Sequence, residues 1–261
     1  MMAPHYAHVR LPYGLWRDGA VTGALQVRAL RGEDELAAEE ALAAGASAAR
    51  VGNALIARCA ADPARGPLGE AGAGALVLGD REIVLRALHA ETFGRRVSTA
   101  VPCQAGCGET VAFDLDVTAL ADDPPETGPA HRARIGEREA ALRLPTGADL
   151  EAALAAEDPA KALLEACVGD AALPRGAVSD ALARLDPNAE TSIVFECPAC
   201  GAVGERFLDA FELIRRALAD QGGVLAQVHR LASAYGWSEA EILALPRGRR
   251  LRYCAMSGGE P

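Results

Sequence analysis

Cys103-Gln-Ala-Gly-Cys107-Gly108 and Cys197-Pro-Ala-Cys200-Gly201 are the two stretches on which the fold turns. Each follows a strand-like run, Val97 to Val101 and Thr191 to Phe195, and each precedes another, Thr110 to Leu115 and Val203 to Phe207. Strand, short cysteine turn with glycine, strand is the pattern of a zinc knuckle, and two knuckles supply the four thiolates of one tetrahedral site. Gly108 and Gly201 fall where a backbone curling round a metal needs a positive φ. The first pair has the wider CxxxC spacing, and Cys107 and Cys197 stand 90 positions apart. The metal is therefore expected to tie two distant parts of the chain together. Four thiolates leave no position for water, so the expected zinc is structural. Four free thiols are the plainer alternative. A disulfide is disfavoured because nothing in the sequence points to export.

Outward from the knuckles, 261 residues are enough to bury a real core in one or two domains. Half the residues are hydrophobic but aromatics make up only 4%. Alanine dominates, which favours helices packed closely through small side chains. A net charge of −10 argues against nucleic acid and anionic membranes as partners. Met1 to Arg10 lacks the pattern of a signal peptide, and no apolar run approaches the roughly 18–20 residues of a membrane span. The expected location is the cytoplasm.

Residues 1–26 read as a loose arm or irregular β segment broken by Gly14, Gly19 and Gly23, with Trp16 as a docking anchor. A first helical half with its knuckle is expected over 27–120. It has an acidic helix start at Glu33-Asp34-Glu35, a helix over about Ala48 to Ala60, and a third over Arg81 to Thr92 capped by Gly79-Asp80. Ala121-Asp-Asp-Pro-Pro-Glu-Thr-Gly-Pro129 is a linker by composition, taken as 121–136, in which Asp122 and Asp123 are ordinary solvated charge. A second helical half with its knuckle occupies 137–206.

The order of features then recurs. Leu142-Arg-Leu-Pro-Thr-Gly147-Ala-Asp149 echoes Val27-Arg-Ala-Leu-Arg-Gly32-Glu-Asp34, Ala162 to Cys167 echoes Ala54 to Cys59, and Asp180 to Leu185 echoes Asp80 to Leu85. With the second knuckle matching the first, four features in one order point to a duplication, with chance matching in an alanine-rich chain as the alternative. Cys59 and Cys167 fall at equivalent helical positions and read as buried small hydrophobes.

A C-terminal helical module covers 207–256. Leu208, Phe211, Ile214 and Leu218 share one face of a helix, Gly222-Gly223 breaks it, and Ser238-Glu-Ala-Glu241 is a capping box. Arg247, Arg249, Arg250 and Arg252 read as an exposed cationic edge, or as pairing with the acids of a protein partner. The fold expected is α+β and predominantly helical. It comprises two pseudo-repeated helical halves, each ending in a β-hairpin zinc knuckle and joined as one split zinc ribbon, plus a C-terminal helical tail. No P-loop, GxGxxG or GxSxG is present, and His229 has no partner at catalytic spacing. No catalytic constellation and no small-molecule substrate are expected.

Three stretches together carry a resemblance. Arg143-Leu-Pro-Thr-Gly-Ala-Asp-Leu150, the knuckle Cys197 to Gly201, and Tyr235-Gly-Trp-Ser-Glu-Ala-Glu-Ile-Leu-Ala-Leu245 followed by Arg249-Arg250 resemble the T-even phage-type baseplate hub assembly chaperones. Relatives of that family occur in contractile phage tails and phage-tail-like injection systems. The resemblance covers the chain from about Leu11 to Met256, and the first knuckle departs from a plain CxxC. It implies a non-enzymatic accessory protein that helps to build a baseplate, with hub, spike or wedge subunits as partners. Trp237, Ile242, Leu243, Arg249 and Arg250 are the candidate partner contacts, since aromatic and arginine anchors commonly carry interface energy. Trp237 as a core residue locking a turn is the competing reading. A zinc-ribbon adaptor of a transcription or RNA-processing complex is the alternative function. It calls for a basic face, whereas Glu109, Asp114, Asp116, Glu196 and Glu205 make the knuckle flanks acidic.

Overall fold

The structure is a computed structural model and describes residues 6–17, 19–121, 123, 128, 130–135, 137–169 and 173–258. About 48% of the chain is helical and 29% strand, so the architecture is mixed, with helix in excess.

Alternation of apolar side chains makes the first element a long hairpin. Strands β1 (Tyr6–Arg17) and β2 (Ala20–Arg28) pair antiparallel, and Leu25 and Val27 on β2 are fully buried. The register shifts between Arg10 and Leu15, and Gly14 takes a φ of 79° in that irregular stretch. Of the two readings of residues 1–26, the described part takes the irregular β segment and not the loose arm. Leu11, Tyr13 and Leu15 are buried, and the hairpin lies at the edge of a four-stranded sheet ordered β1-β2-β3-β4, with β3 Ala60–Asp62 and β4 Gly66–Pro67. The glycines that suggest a break in sequence serve the turn and the bulge instead.

Helices α1 (Gly32–Ala43), α2 (Ala48–Cys59), α3 (Gly69–Ala75) and α4 (Leu78–Phe93) follow. The Ser47 hydroxyl caps α2, accepting from the Arg50 N–H at 3.2 Å. Val51, Leu55 and Ile56 on α2 and Val84, Leu85 and Leu88 on α4 pack with β1 and β2 into the main core. Asp80 does not cap α4, because Val77 occupies the N-cap position. Its carboxylate accepts instead from the backbone N–H groups of Tyr13 at 3.3 Å and Gly14 at 3.0 Å, pinning the first hairpin to α4.

A hairpin of β5 (Arg96–Pro102) and β6 (Thr110–Asp116) carries the first cysteine pair. Of the linker expected over 121–136, Asp122, residues 124–127, Pro129 and Gly136 lie outside the described residues, as do 1–5 and 259–261. Ala130–Ile135 is strand β7, paired with β8 (Arg138–Arg143). His131 and Ile135 alternate inward there, and the neighbouring prolines and glycines mask that signal in the sequence. Helices α5 (Gly147–Leu154), α6 (Pro159–Cys167) and α7 (Arg175–Leu185) lead to the second cysteine hairpin, β9 (Thr191–Glu196) and β10 (Val203–Leu208). A second core gathers β7, β8, α6 and α7 around Leu144, and Tyr13 reaches into it from the first hairpin.

The C-terminal segment is not a separate tail. Phe211, Ile214 and Leu218 on α8 (Ala210–Ala219) belong to the main core with α2 and α4. Gly222 and Gly223, both at φ 79°, then turn the chain into α9 (Gly223–Tyr235), α10 (Glu239–Leu243) and α11 (Arg247–Ser257).

Two helix corners close alike. Arg81 on α4 donates through Nε to the Asn53 amide oxygen on α2 at 2.8 Å, and Arg250 on α11 donates through Nε to the Gln227 amide oxygen on α9 at 2.7 Å. Each corner also receives a helix start. Val77 bridges to Thr146 ahead of α5, and Pro246 bridges to Arg31 ahead of α1. Among the described residues, no helix is long and apolar enough to cross a membrane.

Candidate metal centre

Each cysteine turn is shaped by its own backbone. In the first, the Cys103 N–H donates to the Glu109 carbonyl at 2.8 Å and the Gly106 N–H to the Cys103 carbonyl at 3.1 Å. In the second, the Cys197 N–H donates to the Ala202 carbonyl at 2.9 Å and the Gly201 N–H to the Cys197 carbonyl at 2.8 Å. Gly108 at φ 85° and Gly201 at φ 69° take the left-handed conformation that the turns require.

The two hairpins meet face to face, and their sulfurs converge. Cys103 Sγ lies 3.6 Å from Cys200 Sγ, Cys107 Sγ lies 3.7 Å from Cys197 Sγ, and all four atoms fall within 4.8 Å of one another. A metal with thiolate bonds of about 2.3 Å, tetrahedrally arranged, sets its ligands about 3.8 Å apart. The four cysteines could therefore hold a metal ion with little movement. Cys103 and Cys197 are buried, while Cys107 and Cys200 stand at the surface. No other group of three or more metal-ligating side chains occurs among the described residues.

Cys103 and Cys107 do not ionise independently of the sulfurs beside them. The Ala105 N–H, helped by the neighbouring sulfurs, draws the Cys103 thiol down to about 7. The Glu109 N–H favours the Cys107 thiolate too, but Cys103 and Cys200 outweigh it and hold Cys107 up at about 12. A divalent cation in the centre removes that conflict, since it stabilises every thiolate at once.

Contacts beside the sulfurs hold the hairpins together. Phe113 on β6 stacks on Phe195 on β9 with centroids 5.9 Å apart, and Val101 and Val111 are buried beside Cys103 and Cys197. The Gln104 side chain donates to the Glu205 carbonyl at 2.7 Å and accepts from the Glu205 N–H at 3.2 Å, so its amide stands in for a neighbouring strand. Sequence reading missed this clasp, which leaves no local pattern.

Cys59 and Cys167 end α2 and α6, both buried, and burial raises their thiols to about 12 and about 11. They are packed side chains remote from ligand chemistry.

The expected partner contacts divide. Trp237 is half-buried against α9 and α11, stacked on Tyr235 at 4.9 Å and meeting Tyr253 edge-on at 5.0 Å. Leu243 is also partly buried, and Arg249 is exposed with its guanidinium 5.6 Å from the Tyr253 ring. Ile242 and Arg250, both expected as partner contacts, are wholly buried, and burial of Arg250 and Arg247 corrects the placing of these two arginines on an exposed edge. Arg250 Nη2 donates to Glu35 Oε1 at 2.7 Å and Arg247 Nη1 donates to Glu35 Oε2 at 2.5 Å. The acid that these cations answer to lies within the chain, on α1.

No protein-family profile matches this chain, and no curated protein or solved structure is significantly similar to it.

Proposed function

We propose that this protein is a non-enzymatic assembly component of a contractile phage tail or phage-tail-like injection system, binding hub, spike or wedge subunits. The observation that carries the reading is the closed four-cysteine centre. All its donors are thiolates, so a bound ion keeps no open position for a substrate, and what the centre accomplishes is to fasten two remote hairpins. Zinc is the ion that this donor set and near-tetrahedral spacing suit best. The resemblance of Arg143 to Leu150, Cys197 to Gly201 and Tyr235 to Leu245 to the baseplate hub chaperones supplies the cellular setting.

The split zinc ribbon is read as the meeting point of two duplicated halves. Arg28 pairs with Asp34 at 2.6 Å ahead of α1, and Arg143 pairs with Asp149 at 2.6 Å ahead of α5. Both acids also accept from the backbone N–H of the residue that precedes their helix, Asp34 from Arg31 and Asp149 from Thr146, each at 2.9 Å. Val27 pairs with Ala60 just after Cys59, and Leu142 bridges to Val168 just after Cys167. These paired details support the duplication, since chance matching of alanine-rich sequence does not reproduce an ion pair, a cap and a bridge in one order.

The test is affinity capture of the tagged protein from its native cells, with mass spectrometry of the partners and metal analysis of the same eluate. Hub, spike or wedge subunits with about one zinc per chain are expected. Recovery of polymerase or ribosomal proteins in their place overturns the assembly reading in favour of an adaptor.

A further inference from the structure

Three of the ten large hydrophobic side chains exposed among the described residues lie on one short ribbon. They are Val194 (67% exposed), Val203 (71%) and Phe207 (63%), on β9 and β10. The register places them together. Phe207 stands opposite Ser192, Glu205 opposite Val194 and Val203 opposite Glu196, and side chains two apart on a strand share a face. The opposite face of the ribbon carries Phe195, stacked on Phe113 of the first cysteine hairpin, with Ile193 and Arg206. The outer face is thus a chequer of three apolar side chains and two carboxylates beside Ser192.

Exposed edge ribbons with apolar faces invite pairing, and proteins usually blunt them with charge, proline or a covering element. Here one edge is blunted, since Gln104 occupies both backbone groups of Glu205. The face itself is uncovered. We propose that this outer face of β9–β10 is a docking surface for an extended segment of a partner protein that presents apolar side chains and arginine or lysine in turn at every second residue, so that one of its faces carries both. Charge identifies the occupant. Glu196 and Glu205 lie on the face, Glu109 and Asp114 are exposed on the neighbouring hairpin, and the whole chain carries −10. A second copy is the wrong occupant, because a symmetric pairing brings Glu196 and Glu205 against more carboxylates. The inference rests on the reading that the protein binds a partner subunit, and it moves the contact from the C-terminal helices to the ribbon.

The test is calorimetric titration of the full metal-loaded chain with a twelve-residue peptide of repeating Val-Ser-Arg-Ser, in which valine and arginine alternate along one face. A peptide of the same composition, with its valines and arginines in separate blocks, is the control. The alternating peptide is expected to bind at least tenfold more tightly. Phe207→Ser with Val203→Ser is expected to weaken it at least tenfold, and Glu196→Gln with Glu205→Gln to weaken it and reduce its salt dependence. Metal content and melting curve should stay unchanged in both variants. Equal binding of the two peptides, or binding indifferent to either pair of substitutions, overturns the proposal. So does a wild-type dimer in sedimentation that Phe207→Ser makes monomeric, because the occupant is then a second copy. Hub subunits captured equally well by Phe207→Ser refute the surface and leave the assembly reading standing. The peptide bound as expected, with no baseplate subunit captured, does the reverse.

Discussion

At the scale of single residues, the strongest constraints are buried charges that answer one another across the chain. Glu35 is fully buried between Arg247 and Arg250, and removing one partner of such a group leaves charge stranded without water. Glu35→Gln is therefore expected to cost about 3–5 kcal/mol in urea unfolding. Glu33→Gln, at an exposed pair with Arg31, should change stability by less than about 1 kcal/mol. Asp80 behaves differently. Burial raises its carboxyl to about 7, against the two N–H groups of Tyr13 and Gly14 that favour the anion, and nearby Asp186 adds to the rise. Between the ordinary carboxyl value of 3.8 and about 7 the fold keeps a proton that the unfolded chain has released. Stability should thus fall as pH rises through that window and level off above it, by up to about 1.4 kcal/mol per pH unit for one proton. Asp80→Asn should flatten that slope by its own share, measured by thermal melts across pH. Asp186, raised by burial as well, should retain the remainder.

At the scale of elements, the cysteine hairpins were the most legible part of the sequence, because turn chemistry is local. The glycines at 108 and 201 and the capping box at 238–241 all declare themselves within five residues. Strand β7 did not, since its apolar alternation sits among glycines and prolines that usually mark loops. Arg250 read as part of an exposed edge because the acid that covers it, Glu35 on α1, stands 215 positions earlier in the chain. For the centre itself, Cys103→Ser removes one of four ligands and should reduce bound metal from about one per chain to near none, read by elemental analysis. Chelation should raise amide exchange most in the turns at 103–109 and 197–202. The strands of both hairpins should change less, since the Phe113–Phe195 stack and the Gln104 clasp persist without the ion.

At the scale of the whole molecule, the C-terminal segment completes the N-terminal half. Phe211, Ile214 and Leu218 each add about 1.5–3 kcal/mol of burial to the main core, a large part of a typical domain's stability. A fragment of residues 1–206 is accordingly expected to lack a cooperative melting transition in circular dichroism, whereas a detachable tail leaves one intact. No local sequence pattern announces that return, because its contacts join residues more than a hundred positions apart. The same closure sets an order on biosynthesis. Glu35 leaves the ribosome 212 residues ahead of Arg247 and 215 ahead of Arg250. At roughly 5–20 residues per second the nascent acid waits about ten to forty seconds for its counter-ions. A polypeptide terminated before Arg247 never receives them, so only a chain translated through Arg250 can give Glu35 both of its counter-ions.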